Sequence, residues 1–477
     1  MQTPLLQSGQ ARPYRAAPQG LGCISPTCHR IAPTCSNSEQ LDTNRLRIVQ
    51  NRTDSEPSFS NCQYVRHRML TTEGITEFIS QIIQMGKRRI AIITFFHTEA
   101  SLCLAKYLAI QGAEVDCYVI ADIHHDKGFM PGIEYQKATK FPGIVKLTSE
   151  SAPELVEDSN GISVTYYLLR IISFSSRLLP LNNIVFKRAI KHIRDNKYDA
   201  INIVGQWHWV SIFHEGLKDL NITHTFHEIG NHQKNECSTP LLESVIRDRS
   251  KVILLSKATK DRFESITGAD LCKSKYTPMG CFYTLLLYQK DVKLDTGLDL
   301  QKPTFLFYGF LKPYKGLDLF EKACRLMDDI QDQFNVIVAG AGSDPSLPYF
   351  QSRINCYVLN RYLSDQEMLY LNRISHIVVL PYKTASQSGI IPTSFMFGNP
   401  IIATNVGALA EVVTNNVNGY VVPPNDAEQF ASAMRRIIEN KSTFESLRKG
   451  ALQFGHGDEF DWNNIAKETI DFLLENE

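Results

Sequence analysis

The sequence predicts an α/β protein built as two Rossmann-like domains facing each other across a cleft. Three observations carry that expectation. At 477 residues the chain is too long for one ordinary domain. Short apolar runs of strand length alternate with amphipathic stretches of helix length, the pattern of buried parallel strands with crossover helices. The alternation stops at a polar stretch, residues 289–302, and then starts again.

Residues 1–70 are rich in Gln, Ser, Pro, Thr and Arg without a sustained apolar period, and are expected to form a disordered extension. Cys23, Cys28, His29 and Cys35 lie within it, but their spacing fits no zinc module, and no metal is expected. The first domain is assigned to residues 71–285. Its first strand is RIAIIT at 89–94, followed by a helix at 99–111 with Ala100, Leu104 and Leu108 on one stripe. Gly112 stops that helix, and 115–120 is the next strand. Residues 201–204, 223–227 and 252–256 continue as strands.

A linker is expected at 286–303 and a second domain at 304–458. There 304–309, 336–340, 376–380 and 400–404 read as strands, while 317–327, 388–397 and 427–439 read as helices. Ser364 to Glu367 reads as a capping box opening another helix. Strand–helix–strand units with right-handed crossovers build doubly wound sheets, whose ligands bind at the carboxyl ends of the strands.

Composition narrows the function. The chain is 43% hydrophobic and 21% charged, with 50 basic and 50 acidic residues, so no global basic field points to nucleic acid. No apolar run reaches the ~18 residues of a membrane span. Cys103, Cys117, Cys324 and Cys356 stand singly in apolar segments, where cysteine behaves as a small buried hydrophobe. Residues 1–30 lack an apolar stretch behind a basic end, so a reducing cytoplasm is the expected location. The glycosylation-type matches at Asn51, Asn221 and Asn440 are then chance.

Two turns in the second half are suited to an anion. The first, from Phe307 to Gly316, leaves a strand through Gly309 and brings Lys312 and Lys315 to the strand's carboxyl end. Such cations suit a diphosphate that gains charge as it departs. Solvated loop lysines are the plainer reading. The second turn, from Pro381 to Pro392, presents Ser388 and Gly389 where a helix begins, a position suited to an anion or to an ordinary cap.

These two turns, with Gly398 to Thr404, Gly407 to Glu411, Asn418-Gly419 and Pro423-Pro424 in order, resemble the donor-binding half of the family 4 glycosyltransferases, which have the GT-B fold. The resemblance covers Phe305 to Asp426 in detail and the first half in outline. Residues 459–477 resemble the family's last helix, which packs back toward the N-terminal domain. The resemblance implies transfer from a UDP- or GDP-sugar with retention of configuration, with neither metal nor cofactor. It implies Lys315 at the diphosphate, Gln387, Ser388, Gly389 and Ile390 over the phosphates and sugar, and Gly340, Tyr362, Leu363 and Thr393 around base and ribose. Phe310 stands where the family commonly has arginine, and Lys312 is expected to substitute. The family's paired glutamates are replaced near Gln387 and near Thr393 or Ser394. A catalytically inactive homologue that binds sugar or nucleotide is the alternative.

The resemblance implies a histidine at a strand end of the first half near the transferred sugar, and His227 and His208, which follow strands, are the candidates for that catalytic side chain; structural histidines are the competing reading. His97 is a lesser candidate for the acceptor or phosphate side. Residues 165–197 mix aromatic and basic side chains, which fits either peripheral contact with the inner membrane face or a pair of amphipathic surface helices. A glycan, lipid-linked or small-molecule acceptor in polysaccharide or glycoconjugate synthesis is expected. A nicotinamide enzyme is disfavoured, because residues 94–100 after the first strand contain no glycine.

Overall fold

The computed structural model describes residues 88–95, 98–123, 133–173, 179–206, 210–229, 240–268, 271–288 and 292–475. The first lobe contains β1 (Arg89–Thr94), β2 (Glu114–Asp122), β3 (Gly143–Lys146), β4 (Val164–Ile171), β5 (Ala200–Val204), β6 (Ile222–Phe226), β7 (Lys251–Leu254) and β8 (Ser274–Tyr276). They form one sheet in the order β3-β4-β2-β1-β5-β6-β7-β8, in which only β3 is antiparallel to its neighbour. β1 is central and apolar from Ile90 to Ile93 because both faces are covered: Ile90 and Ile92 enter one core, Ala91 and Ile93 the other.

The second lobe contains β9 (Thr304–Tyr308), β10 (Asn335–Ala339), β11 (Cys356–Leu359), β12 (Ile377–Leu380), β13 (Ile401–Thr404) and β14 (Gly419–Val422). Its sheet is parallel, in the order β11-β10-β9-β12-β13-β14. Phe305 and Phe307 point into one core and Leu306 and Tyr308 into the other. Successive strands turn to opposite sides between β1 and β5 in the first sheet and between β9 and β12 in the second. Connections leave in opposite directions there, which opens a crevice at the carboxyl edge.

The helices used below are α1 (Thr98–Ile110), α2 (Leu179–Asn196), α3 (Val210–Leu217), α4 (Lys257–Thr267), α5 (Leu317–Arg325), α6 (Asp365–Ile374), α7 (Ile390–Met396), α8 (Leu409–Val412) and α9 (Trp462–Leu474). The capping box of α6 forms as its sequence requires: Ser364 accepts from the Glu367 backbone while Glu367 reaches back to Ser364. α9 belongs by packing to the first lobe. Ala466, Ile470 and Leu473 join that lobe's core, and Lys251 Nζ donates to the carbonyls of Phe472 and Leu473 at the helix end. A buried cation there is stabilised by the helix C-terminus.

Two expectations are corrected. Residues 165–171 are not a surface helix but most of β4, paired to β2 and β3. Alternation sends Tyr166 and Leu168 into one core and Leu169 and Ile171 into the other, and the buried Arg170 guanidinium lies over the Tyr135 ring. Only α2 keeps an outward basic face, with Lys187, Arg188, Lys191 and Arg194 exposed while Phe186 is buried. Phe174 and Arg177 lie outside the described residues, as do residues 1–70. The helix expected at 388–397 is shorter: α7 begins at Ile390, so Ser388 and Gly389 belong to the loop before it.

Candidate active site

The second lobe's crevice is shaped by glycines that bring backbone against backbone. Gly309 leaves β9 with φ 105°, and Gly340 leaves β10 with φ 147°. A Cβ at Gly340 would lie 1.8 Å from the Gly309 carbonyl oxygen, so no side chain fits between the strand ends. Gly316 plays the same part across the switch point. With φ 71° it sets the short turn Pro313–Lys315 against the end of β12, where a Cβ would meet the Pro381 carbonyl oxygen at 1.9 Å. The Lys383 backbone N–H seals the contact on the Tyr314 carbonyl at 2.7 Å.

This geometry places Lys315. Its Nζ donates to the Tyr382 hydroxyl at 3.0 Å and lies 5.0 Å from the centre of that ring. A Cβ on Gly309 would sit 3.0 Å from the same Nζ, so the ammonium rests against the bare edge of Gly309. Lys315 is half-buried, not the exposed loop lysine of the plainer reading, whereas Lys312 is exposed at the mouth of the turn. Ile390 lies opposite, its Cδ1 3.8 Å from where a Gly309 Cβ would be. Gly309, Lys315 and Ile390 therefore meet at one point, with Gly340 directly behind.

The loop before α7 reaches the first lobe. The Gln387 side-chain amide donates to the His227 carbonyl and to His227 Nδ1, both at 3.0 Å. Because the amide nitrogen can only donate, Nδ1 accepts and the ring proton belongs on Nε2. His227 follows β6 and is buried, and it borders a small apolar cavity beside Ser101, Thr225 and Thr277. Gln387 Oε1 is buried without a partner among the described residues. Ser388 and Gly389 follow it, Gly389 being exposed with its open side toward Phe282. His97 and His208 lie outside the described residues.

The residues assigned to base and ribose separate. Tyr362 is exposed, and Leu363 packs against the second lobe's core just before the α6 cap. Thr393 is a correction. Its side chain is buried and its hydroxyl donates to the Gly389 carbonyl one turn back, because this face of α7 turns into the core. Ser394 is likewise inside, bonded to the Ile390 carbonyl and to Asn372. Neither stands at the crevice as a carboxylate substitute.

Three polar features escaped the sequence reading. Tyr382, which holds Lys315, was within a quoted motif but had no role. Glu411 of α8 accepts from the backbone N–H groups of Lys257 and Ala258, both at 2.8 Å, and so caps α4 of the opposite lobe. Gly407 orients it, since a Cβ there would lie 1.8 Å from the Ala385 carbonyl oxygen. Burial pushes Glu99, in the first turn of α1, up to about 7 against its own backbone hydrogen bond, and the charge of Asp365 adds to the rise. Burial likewise raises Asp365 to about 6. The one group of three metal-capable side chains among the described residues is His214, Glu215 and Asp248. It stands on the helical side of the first sheet, with both carboxylates already held by Arg247.

Comparison with known proteins agrees with this architecture. Residues 302–440 match the family described as Glycosyl transferases group 1. The chain is 22% identical over 358 residues to D-inositol 3-phosphate glycosyltransferase of Kribbella flavida, covering 68% of this chain and 84% of that one. It is 26% identical over 235 residues to the uncharacterized glycosyltransferase MJ1607 of Methanocaldococcus jannaschii, covering 46% of this chain. That match spans 58% of the relative, less than two thirds of its length. Sucrose-phosphate synthase from Thermosynechococcus elongatus superimposes with a TM-score of 0.57 at 16% identity, over 81% of this chain and 98% of that one. Anabaena HepE, solved in complex with UDP and glucose, does so at 0.51 and 16% identity, over 81% and 99%. The fold is that of the GT-B glycosyltransferases.

Proposed function

We propose that this GT-B protein, whose residues 302–440 are a glycosyl transferases group 1 domain, moves a sugar from a nucleoside diphosphate donor, a UDP- or GDP-sugar, to an acceptor bound by the first lobe. The observation that carries the reading is the placement of Lys315, half-buried at the β9–β12 crevice against bare glycine backbone. Bare backbone admits a diphosphate closely, and a fixed ammonium stabilises the charge that grows as the sugar leaves. Lys312 at the rim adds a second cation. Gln387 orients His227, and its buried Oε1 is an acceptor suited to a sugar hydroxyl.

The further assignments are part of the same reading: retention of configuration, no metal, and a glycan, lipid-linked or small-molecule acceptor in polysaccharide or glycoconjugate synthesis in the cytoplasm. Peripheral contact with the inner membrane face is now limited to α2, where Leu181 and Ile184 are exposed ahead of Lys187, Arg188 and Lys191. One observation favours the rival, a non-catalytic sugar- or nucleotide-binding homologue: the Thr393 hydroxyl is buried and donates to the Gly389 carbonyl. Thermal shift with UDP-, GDP- and ADP-sugars, followed by a donor hydrolysis assay, separates the two. Saturating donor at about a hundred times its Kd adds ~2.7 kcal/mol. Stabilisation together with slow release of sugar supports the transferase, stabilisation without turnover supports the rival, and no response to any donor defeats both.

A further inference from the structure

The cavity that His227 borders has a polar rim with no part in the site so far. It lies between the carboxyl ends of β5, β6 and β7 and the helices α1 and α9. Most of its wall is apolar, yet Ser101, Thr225, Thr277 and Thr469 line it together with His227, and all five are buried. Cavities that stay dry are apolar throughout. No carboxylate, lysine or arginine is among the described residues of the lining.

Thr277 is the residue that calls for an occupant. Its backbone N–H donates to the Leu254 carbonyl at 2.9 Å, which carries the β7–β8 pairing one residue further and fixes where the side chain stands. That side chain is 5% exposed, and its hydroxyl is buried with no hydrogen-bond partner among the described residues. A hydroxyl left so is destabilising, and native proteins satisfy such groups with protein or with ordered water. Two of its neighbours have already spent their protons. Thr225 donates to Asn202 Oδ1 at 2.8 Å, and Thr469 to the Ile465 carbonyl at 2.6 Å. Both offer only lone pairs to a ligand, whereas Thr277 donates or accepts and His227 carries its proton on Nε2.

That inventory identifies the occupant. Walls without a charged partner do not suit an ion. A rim of two acceptors, one donor and one group of both kinds matches a molecule that donates twice and accepts twice. The cavity measures about 30 Å³, and one water takes roughly 10–15 Å³. We infer that this cavity is a water site, in which Thr277 holds a water that accepts from His227 Nε2. Gln387 grips Nδ1 of the same ring from the second lobe. The imidazole is then fixed from both sides, and Thr277 is a positioning residue for His227. The importance of that ring rests on the donor reading above, but the site does not, and its test uses no donor, so either can fail alone.

The test is a melting curve and nitrogen NMR of the histidine-labelled full chain, for wild type, Thr277→Val and Thr277→Ser, with His227→Gln identifying the His227 signals. Valine keeps the shape of threonine and removes the hydroxyl. If water holds that hydroxyl, Thr277→Val lowers the melting temperature by roughly 2–4 °C and shifts His227 from a single Nε2–H tautomer to a mixture, while Thr277→Ser keeps both properties. If the hydroxyl is unpaired, valine relieves it and the melting temperature rises. An unchanged or raised melting temperature in Thr277→Val overturns the water site. A His227 signal that does not move in that variant overturns the positioning role. Should Thr277→Val fail to fold, a crystal structure of the wild type decides: ordered water within hydrogen-bond distance of both Thr277 Oγ1 and His227 Nε2 is expected, and a well-resolved cavity without it overturns the proposal.

Discussion

Replacing Lys315 with methionine removes the ammonium while keeping most of the side chain's length and apolar stem. In the resting protein that ammonium makes one hydrogen bond, to Tyr382, and one contact with the same ring. A hydrogen bond from a charged donor, with the ring contact part of the same interaction, is worth roughly 1.5–3 kcal/mol, but burial of the ammonium opposes it, so the variant loses ~1–2 kcal/mol of stability. For lobes of this size that is a fall of roughly 2–8 °C in melting temperature. Catalysis should lose more. Removing one preorganised contact to a departing anion costs on the order of 3 kcal/mol, about a hundredfold in rate. The assay is turnover with the identified donor, paired with a melting curve, for Lys315→Met and for Lys312→Ala. Lys312 is exposed at the rim, so its loss should cost less rate and almost no stability. Rates in Lys315→Met within threefold of wild type would refute the assignment of the crevice to the diphosphate.

Three further outcomes follow from the geometry. Glu411→Ala removes both acceptors on the first turn of α4 and should cost ~1–2 kcal/mol and raise the donor KM more than it lowers kcat; unchanged stability and KM would show that this contact between lobes is idle. His224 is fully buried, and burial first, then the neighbouring His214, depresses its pKa to about 3, so the folded state holds it neutral. Its contribution is complete above the unfolded value near 6.5 and falls away as pH drops toward 3, by up to ~1.4 kcal/mol per pH unit; urea unfolding at pH 7, 6 and 5 should show a shallower decline in His224→Leu than in wild type, and parallel slopes would disprove the attribution. Turnover should survive EDTA, and a complete loss restored by manganese or magnesium would count against the metal-independent mechanism.

What the sequence made legible is what local pattern encodes. β9 and β12 announce themselves because parallel strands covered on both faces must be apolar at every position, as Phe305 to Tyr308 and Ile377 to Leu380 are. The αL turn at Gly316 and the bend at Gly309 are equally local, which is why the sequence alone puts Lys315 at the end of β9. β4 misled because its basic and aromatic letters look like a surface. Composition cannot say that Arg170 is buried, and because both faces of β4 are covered no period-two pattern marks it either.

The remaining misreadings share a different cause. Thr393 lies on the seven-residue α7, too short for periodicity to decide which face meets the crevice, and its hydroxyl returns to Gly389. Gln387 and His227 meet across 160 residues of sequence, and Glu411 and Lys257 across 154. No pattern within either lobe encodes such a meeting, because each partner is locally unremarkable: an amide in a loop, a carboxylate on one helical turn, the first N–H of a helix. Yet both contacts leave from one segment of the second lobe. The Ala408 N–H is bonded to the Ser386 carbonyl at 3.1 Å, which ties the loop carrying Gln387 to the turn that aims Glu411. A donor that shifts this loop must therefore shift both links to the first lobe together. The segment proposed to hold the phosphates is thus the one tied to His227.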